Sequence, residues 1–242
     1  MRAYAAASPR TVISAPRLVS YVTGVPLEKG YVYSNTNYIL AQMIIERVTH
    51  DTYADQLMRR ITIPLRLRSM CDAPYTCPAA AATRMPAGYF FDSAIPELAS
   101  LLGKPVPKLN LSWAQGAGGI VSSLRDMTTW DRALYQGDEL PGKQQRELES
   151  LVSKKSGLPI SGTTPADPSG FGLGVGQAIT PYGTVWNYEG ETYGFRVLHL
   201  YWPNSGLIIA LGANSHPTSD QLAQLGLSAY QILQKAGALP AG

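Results

Sequence analysis

Residues 31–50 read YVYSNTNYILAQMIIERVTH, and how this stretch is parsed decides the fold. The polar cluster Ser34-Asn35-Thr36 precedes the apolar residues Leu40, Met43, Ile44 and Val48, whose spacing predicts a capped amphipathic helix. Ahead of it, Tyr33 and Asn35 offer a phenol and an amide from one loop that the helix holds in place. Such a pair can move a proton and hold a carbonyl. It can equally be an N-cap beside a half-buried aromatic.

Working outward, DTYADQLMRRI from Asp51 predicts a second helix that ends before Pro64, because proline disfavours helix at the preceding residue. Residues 78–115 carry several prolines and little periodicity, and read as loop with a short helix near 96–102. In residues 116–137, GAGGIVSSLRDMTTWDRALYQG, Ser123 and Asp126 form a capping pattern, Met127, Trp130 and Leu134 share a face, and Gly137 supplies the stop. A further helix is expected over 143–154, opened by Pro141-Gly142. After Gly170 the period changes to short β-rich runs at 171–179, 184–188, 195–202 and 207–213, separated by turns such as Pro203-Asn204-Ser205-Gly206. The last helix, within 218–239, carries an apolar stripe through Leu222, Leu225, Leu227 and Ile232 that would cover one sheet face. The fold class is therefore α/β of the α+β type: a helical region, an antiparallel sheet and a C-terminal helix covering it. With no repeat or low-complexity linker, residues 1–242 read as a single domain.

The chain has 242 residues, 45% of them apolar and 15% charged, which suits a globular protein with a sizeable core. Its net charge of +3 comes from scattered Lys and Arg, so no basic stripe marks a nucleic-acid surface. No apolar run approaches the roughly 20 residues of a membrane span, and the start is too short in its apolar part for a signal peptide. Cys71 and Cys77 lie in the loop MCDAPYTCP, where a small disulfide would pin the turn in an oxidising compartment, or two unrelated thiols would stand. No second Cys or His pair is near enough to complete a zinc site, and no metal is expected.

Four stretches, in order, carry a resemblance that covers nearly the whole chain. YSNTNYILAQMIIERVT resembles the Tyr-x-Asn segment of the class C β-lactamase and D-alanyl-D-alanine carboxypeptidase family, the penicillin-recognising serine hydrolases. PLRLRSM looks like that family's Pro-Leu-Gly-Met segment, GAGGIVSSLRDMTTWDRAL its Gly-Gly-x-x-Ser-x-x-Asp helix, and YEGETYGFRVLHLYWPNSGLIIALGANS its third-motif strand and the hairpin after it. The resemblance implies a β-lactamase/transpeptidase-like fold and acyl transfer through a serine of a Ser-x-x-Lys motif. It makes Tyr33 the acid or base partner and Asn35 a substrate amide contact. The third motif falls on Tyr188-Glu189-Gly190, with Tyr188 where Lys or His is usual. Tyrosine donates a hydrogen bond but brings no positive charge near neutral pH, which weakens affinity for a substrate carboxylate. The resemblance further implies that Gly190 would let substrate approach the strand and that the backbone N–H of Glu191 would face the developing oxyanion.

No serine in the chain is followed by lysine at the third position, and only 32 residues precede Tyr33. The expectation is a chain begun inside its gene, without the serine helix and its adjoining strands; a split protein or a degenerate paralogue are the alternatives. There is no Gly-x-Ser-x-Gly elbow, and His50, His199 and His216 read as structural. The function implied is a serine hydrolase acting through an acyl-enzyme on a β-lactam or D-Ala-D-Ala peptide. A small-ester hydrolase of the family VIII type, or a non-catalytic peptide- or peptidoglycan-binding homologue, are the alternatives. No cofactor is implied. The parent would work in the periplasm or outside the cell, and an uncovered sheet edge would favour self-association.

Overall fold

The computed structural model describes residues 12–73, 75–106, 111–137, 139–217, 219 and 221–239. A helical half comes first. Helix α1 (Ala15–Ser20) packs on α2 (Asn35–Thr49), and α3 (Tyr53–Leu57) runs on into a π turn over Met58–Thr62 that stops short of Pro64, as the proline requires. A long antiparallel sheet follows, and helix α7 (Leu222–Lys235) closes the chain. Its strands are β5 (Leu151–Ser153), β6 (Pro159–Ile160), β7 (Ser169–Phe171), β8 (Gly176–Thr180), β9 (Gly183–Thr192), β10 (Phe195–Trp202) and β11 (Leu207–Ala213). They lie side by side in the order β11-β10-β9-β8-β7-β5-β6. Two small sheets brace the junction: β1 (Cys71–Asp72) with β4 (Ile120–Val121), and β12 (Ser215–Pro217) with β2 (Gly88–Phe91) and β3 (Pro105–Val106).

Alternation along β9 and β10 separates two apolar layers. One face gives Val185, Leu198, Leu200 and Trp202 to α7, which answers with Leu222 and Tyr230. The other turns Trp186 toward helix α5 (Leu124–Gln136), whose Leu134 packs there with Leu151 and Val175. The Ser123 hydroxyl accepts the Asp126 N–H at 3.2 Å, and Gly137 ends the helix as expected. Cys71 and Cys77 are joined by a disulfide, with Cα atoms 4.9 Å apart.

Several sequence expectations are corrected. The expected helix over 143–154 stops at Leu148, as α6 (Gly142–Leu148), because residues 151–153 are recruited into the sheet between β6 and β7. The run 171–179 is two strands. Residues 78–115 are more ordered than a loop: α4 (Ala79–Arg84) and β2 precede the short 3-10 helix at Pro96–Leu101, while positions 107–110 lie outside the described residues. The stripe of α7 is rotated: Leu225 and Ile232 are exposed, and Leu222, Gly226 and Tyr230 face the sheet. Gly226 sits so near Leu200 that an added Cβ would stand 2.3 Å from its Cδ1, and this close approach sets the rotation. In α2, Ile39 and Gln42 are buried, while Leu40, Ile44 and Val48 are exposed. Gln42 turns inward because its amide is fully used: Nε2 donates to Gln115 Oε1 at 3.0 Å, and Oε1 accepts from the Gly116 N–H at 2.8 Å.

Candidate active site

Tyr33 ends the loop before α2. Ser34, not Asn35, caps that helix, its hydroxyl accepting from the Thr36 N–H at 3.3 Å; Asn35 is the first helical residue and stands exposed. The loop is seated on the β5–β6 turn. There Gly157 has φ of +73°, and a Cβ added to it would lie 2.8 Å from both Gly30 C and Tyr31 N. Only a residue without a side chain permits both that backbone conformation and that contact.

Tyr188 comes from the other half of the molecule, on β9, and its hydroxyl lies 2.6 Å from that of Tyr33. Aromatic rings flank the pair, with Tyr33 left 41% exposed. Phe171 on β7 is 5.9 Å from the Tyr33 ring and 6.3 Å from the Tyr188 ring; Tyr31 lies 5.8 Å from Phe171, and Tyr38 lies 5.5 Å from Tyr33. Lys154 places its ammonium 5.6 Å from the centre of Phe171.

Burial raises the pKa of Tyr33 well above that of an ordinary phenol, and the bond to Tyr188 raises it further. Tyr188 is raised by burial too, its bond to Tyr33 pulling the other way. Both phenols therefore keep their protons near neutral pH, where the pair can donate and relay hydrogen bonds. It becomes a base only when a cation is brought against it.

Gly190 and Glu191 follow on β9. A Cβ at Gly190 would meet Val197 Cγ2 at 2.9 Å. The Glu191 carboxylate is held by Arg196 at 3.0 Å and by His216 Nε2 at 3.3 Å, and Arg196 also reaches Glu189 at 3.0 Å. His216 Nδ1 lies 2.9 Å from the Thr192 carbonyl oxygen. Thus Tyr33 and Tyr188 meet, Asn35 stands two residues beyond Tyr33, and Gly190 and Glu191 continue the strand.

One cluster escaped sequence reasoning. His199 lies directly across from Tyr188 in the β9–β10 register, and its Nδ1 is 3.2 Å from Asp131 Oδ1 on α5. Its Nε2 is 3.3 Å from the Tyr135 hydroxyl, one helical turn beyond Asp131. The signal was present as Asp131 inside an otherwise apolar helix face, but nothing in the sequence gives the strand register that pairs it with a histidine. Among the described residues, no group of three or more His, Cys, Asp or Glu could hold a metal ion, and no helix is long and apolar enough to cross a membrane. A cavity of about 180 Å³ beside the disulfide, lined by Leu57, Met58, Arg68, Met70 and Cys71 among others, does not include the tyrosine cluster.

Comparison with known proteins puts this geometry in context. The family model described as Beta-lactamase matches residues 3–231. A D-aminopeptidase of Gluconobacter oxydans is 27% identical over 236 residues, which is 96% of this chain and 38% of that protein. A D-stereospecific amidohydrolase from Streptomyces sp. has the same fold with a TM-score of 0.75 at 25% identity, over 90% of this chain and 62% of that one. The D-amino acid amidase from Ochrobactrum anthropi, solved with D-phenylalanine, gives a TM-score of 0.71 at 25% identity, over 87% and 59%. The chain spans about three fifths of the length of these solved relatives and less than two fifths of the D-aminopeptidase.

Proposed function

Because this chain belongs to the beta-lactamase family of serine hydrolases, we propose that it carries the proton-relay and oxyanion side of an amide hydrolase for short D-configured substrates, such as D-amino acid amides or peptides with an N-terminal D-residue. The observation that carries this reading is the 2.6 Å contact between the Tyr33 and Tyr188 hydroxyls, which joins segments 155 residues apart. In this reading Tyr33 shuttles the proton, Tyr188 holds it in place, Asn35 holds a substrate amide, Gly190 leaves room along β9, and the Glu191 N–H receives the oxyanion. No Ser-x-x-Lys motif occurs within these 242 residues, so this reading requires an attacking serine and a lysine supplied from elsewhere, the lysine being the cation that would turn Tyr33 into a base.

Tyr188 argues for a neutral group on the substrate where a carboxypeptidase would find a carboxylate. A phenol adds no charge, and charge-assisted bonds are roughly twice as strong as neutral ones. Relatives named as D-aminopeptidase and D-amino acid amidase support the same choice. The Cys71–Cys77 disulfide supports work in the periplasm or outside the cell.

The test is turnover by the full product of the gene encoding this chain, given D-phenylalanine amide, its L enantiomer, an N-acetylated D-Ala-D-Ala dipeptide and a neutral short-chain ester. The D-amide should be hydrolysed in preference to the others, and Tyr33→Phe should lower kcat by 10²-fold or more, on the order of general acid–base catalysis. Preference for the dipeptide would restore the carboxypeptidase reading. Turnover of the ester alone would favour an esterase.

A further inference from the structure

Asp131 and His199 are among the buried ionisable groups that the proposed reaction leaves unused, and they are the ones that contact each other beneath Tyr188. Asp131 is 0% exposed and His199 8% exposed, both within an apolar layer of Trp130, Leu134 and Trp186. Replacing a buried polar pair by well-packed apolar residues is often neutral or stabilising, so burial of this pair is weak evidence that it serves stability. Neither Asp131 oxygen has a well-aligned hydrogen bond, and the Nδ1 of His199 is 3.2 Å from one of them. On the sheet, His199 is the cross-strand partner of Tyr188, and the two ring centres are 6.4 Å apart.

We propose that Asp131 and His199 are positioning residues for the tyrosine pair: a buried unit that holds one proton beneath Tyr188 and thereby sets the Tyr188–Tyr33 hydrogen bond. This rests on the reading of Tyr33 and Tyr188 as the reacting pair. With the proton on Asp131, the carboxyl donates to Nδ1, and Nε2–H donates to the Tyr135 oxygen. When the unit loses a proton, the carboxyl proton passes to Nδ1, the Nε2 proton leaves to solvent, and Nε2 then accepts from the Tyr135 hydroxyl. One negative charge then stands behind Tyr188 in a low-dielectric layer, where it opposes any phenolate at the pair.

Burial moves both groups: the Asp131 carboxyl is pushed up to about 7, and the His199 imidazole down to about 4. Over that interval the unit keeps a single proton. The other ionisable groups around the imidazole are accounted for. Asp131 and Tyr135 face it from α5 and Tyr188 from β9, while Tyr201 on β10 stacks on Tyr135 with ring centres 4.9 Å apart. Strand β11 presents Ala210 opposite His199, and Glu149 adds negative charge near Tyr135.

The test needs no turnover, so an inactive chain leaves it decisive. This chain is labelled with ¹³C at the tyrosine ζ carbon, the Tyr33 and Tyr188 resonances are assigned with Tyr33→Phe and Tyr188→Phe, and both are followed from pH 4.5 to 8.5. The two resonances should move together in one step near neutrality, and the step should vanish in Asp131→Asn and in His199→Gln. A residue that only packs would shift the resonances equally at every pH. Resonances that show no step in the parent chain, or a step that survives either substitution, overturn the proposal. If one variant does not fold, the other decides.

Discussion

A carboxyl and an imidazole that share a dry layer must leave their mark on stability, because each titrates differently once unfolded. Asp131 binds its proton up to about pH 7 when folded, against 3.8 in the ordinary carboxyl, so the folded state holds the extra proton between those values. Stability from this group therefore falls as pH rises through that window. His199 does the reverse. Its folded value of about 4 lies below the ordinary 6.5, the unfolded chain binds the extra proton, and stability rises from about pH 4 to 6.5. In the parent chain these two slopes oppose each other. Asp131→Asn removes the aspartate slope, so its melting midpoint, taken relative to the parent, should rise with pH over about 4–7. His199→Gln removes the histidine slope, and its relative midpoint should fall over about 4–6.5. Neither slope should exceed about 1.4 kcal/mol per pH unit, the value of a single proton. Asp72, pushed up to about 6 by burial and by Glu46, titrates in all three proteins and cancels in the differences. Scanning calorimetry at fixed ionic strength reads both, and relative slopes of equal sign would remove the pair as their source.

At the scale of elements, what seats Tyr33 is contact between backbones, and this gives a clean substitution. Gly157→Ala must relieve both a φ of +73° and a 2.8 Å approach to Gly30 and Tyr31. It should cost about 1–3 kcal/mol and draw the Tyr33 loop off Phe171. Gly142→Ala, inside α6 with its nearest neighbour 3.6 Å away, should be neutral or slightly stabilising, and thermal melts of the two compare them directly. A parallel contrast applies to α7. Tyr230→Ala should cost about 3–5 kcal/mol because the ring is buried against Tyr182 and Trp202, while Ile232→Ala on the exposed side should stay within about 0.5 kcal/mol. That contrast also shows what the sequence could and could not tell. Periodicity located α2, α5, α7, β10 and β11 well, because each is long enough for its pattern to repeat. It misassigned which face of α2 and α7 is buried, because Gln42 and Gly226 are inward for reasons of hydrogen bonding and close approach that hydrophobicity does not encode. It lost residues 151–153 to a helix because strand recruitment depends on partners far along the chain. Tyr33, Asn35, Tyr188, Gly190 and Glu191 could be proposed from the sequence as motif positions, and the structure brings Tyr33 to Tyr188, whereas the Asp131–His199 pair needs a strand register and a helix–sheet contact that no local pattern carries.

For the whole molecule, the exposed side of α2 carries the consequence. Ile44 is 62% and Val48 68% exposed, and with Leu40 they form a stripe of aliphatic side chains one helical turn apart. A helix in a globular protein normally buries such a stripe, and contiguous exposed apolar surface of this kind marks a contact surface. Strand β11 adds a second open element, since it ends the long sheet among the described residues and so presents an edge that can pair with another chain. The chain on its own should therefore self-associate at tens of micromolar, with an apparent mass in light scattering that rises with concentration. Ile44→Glu together with Val48→Lys should return it to a monomer without lowering the melting midpoint, since neither side chain is packed. Leu18→Ala, which opens the buried contact between α1 and α2, should do the opposite: lower stability by about 2–5 kcal/mol and leave association unchanged. A parent chain that stays monodisperse across that concentration range would mean the stripe is not a contact surface, and association that persists in the double variant would move the contact to the β11 edge.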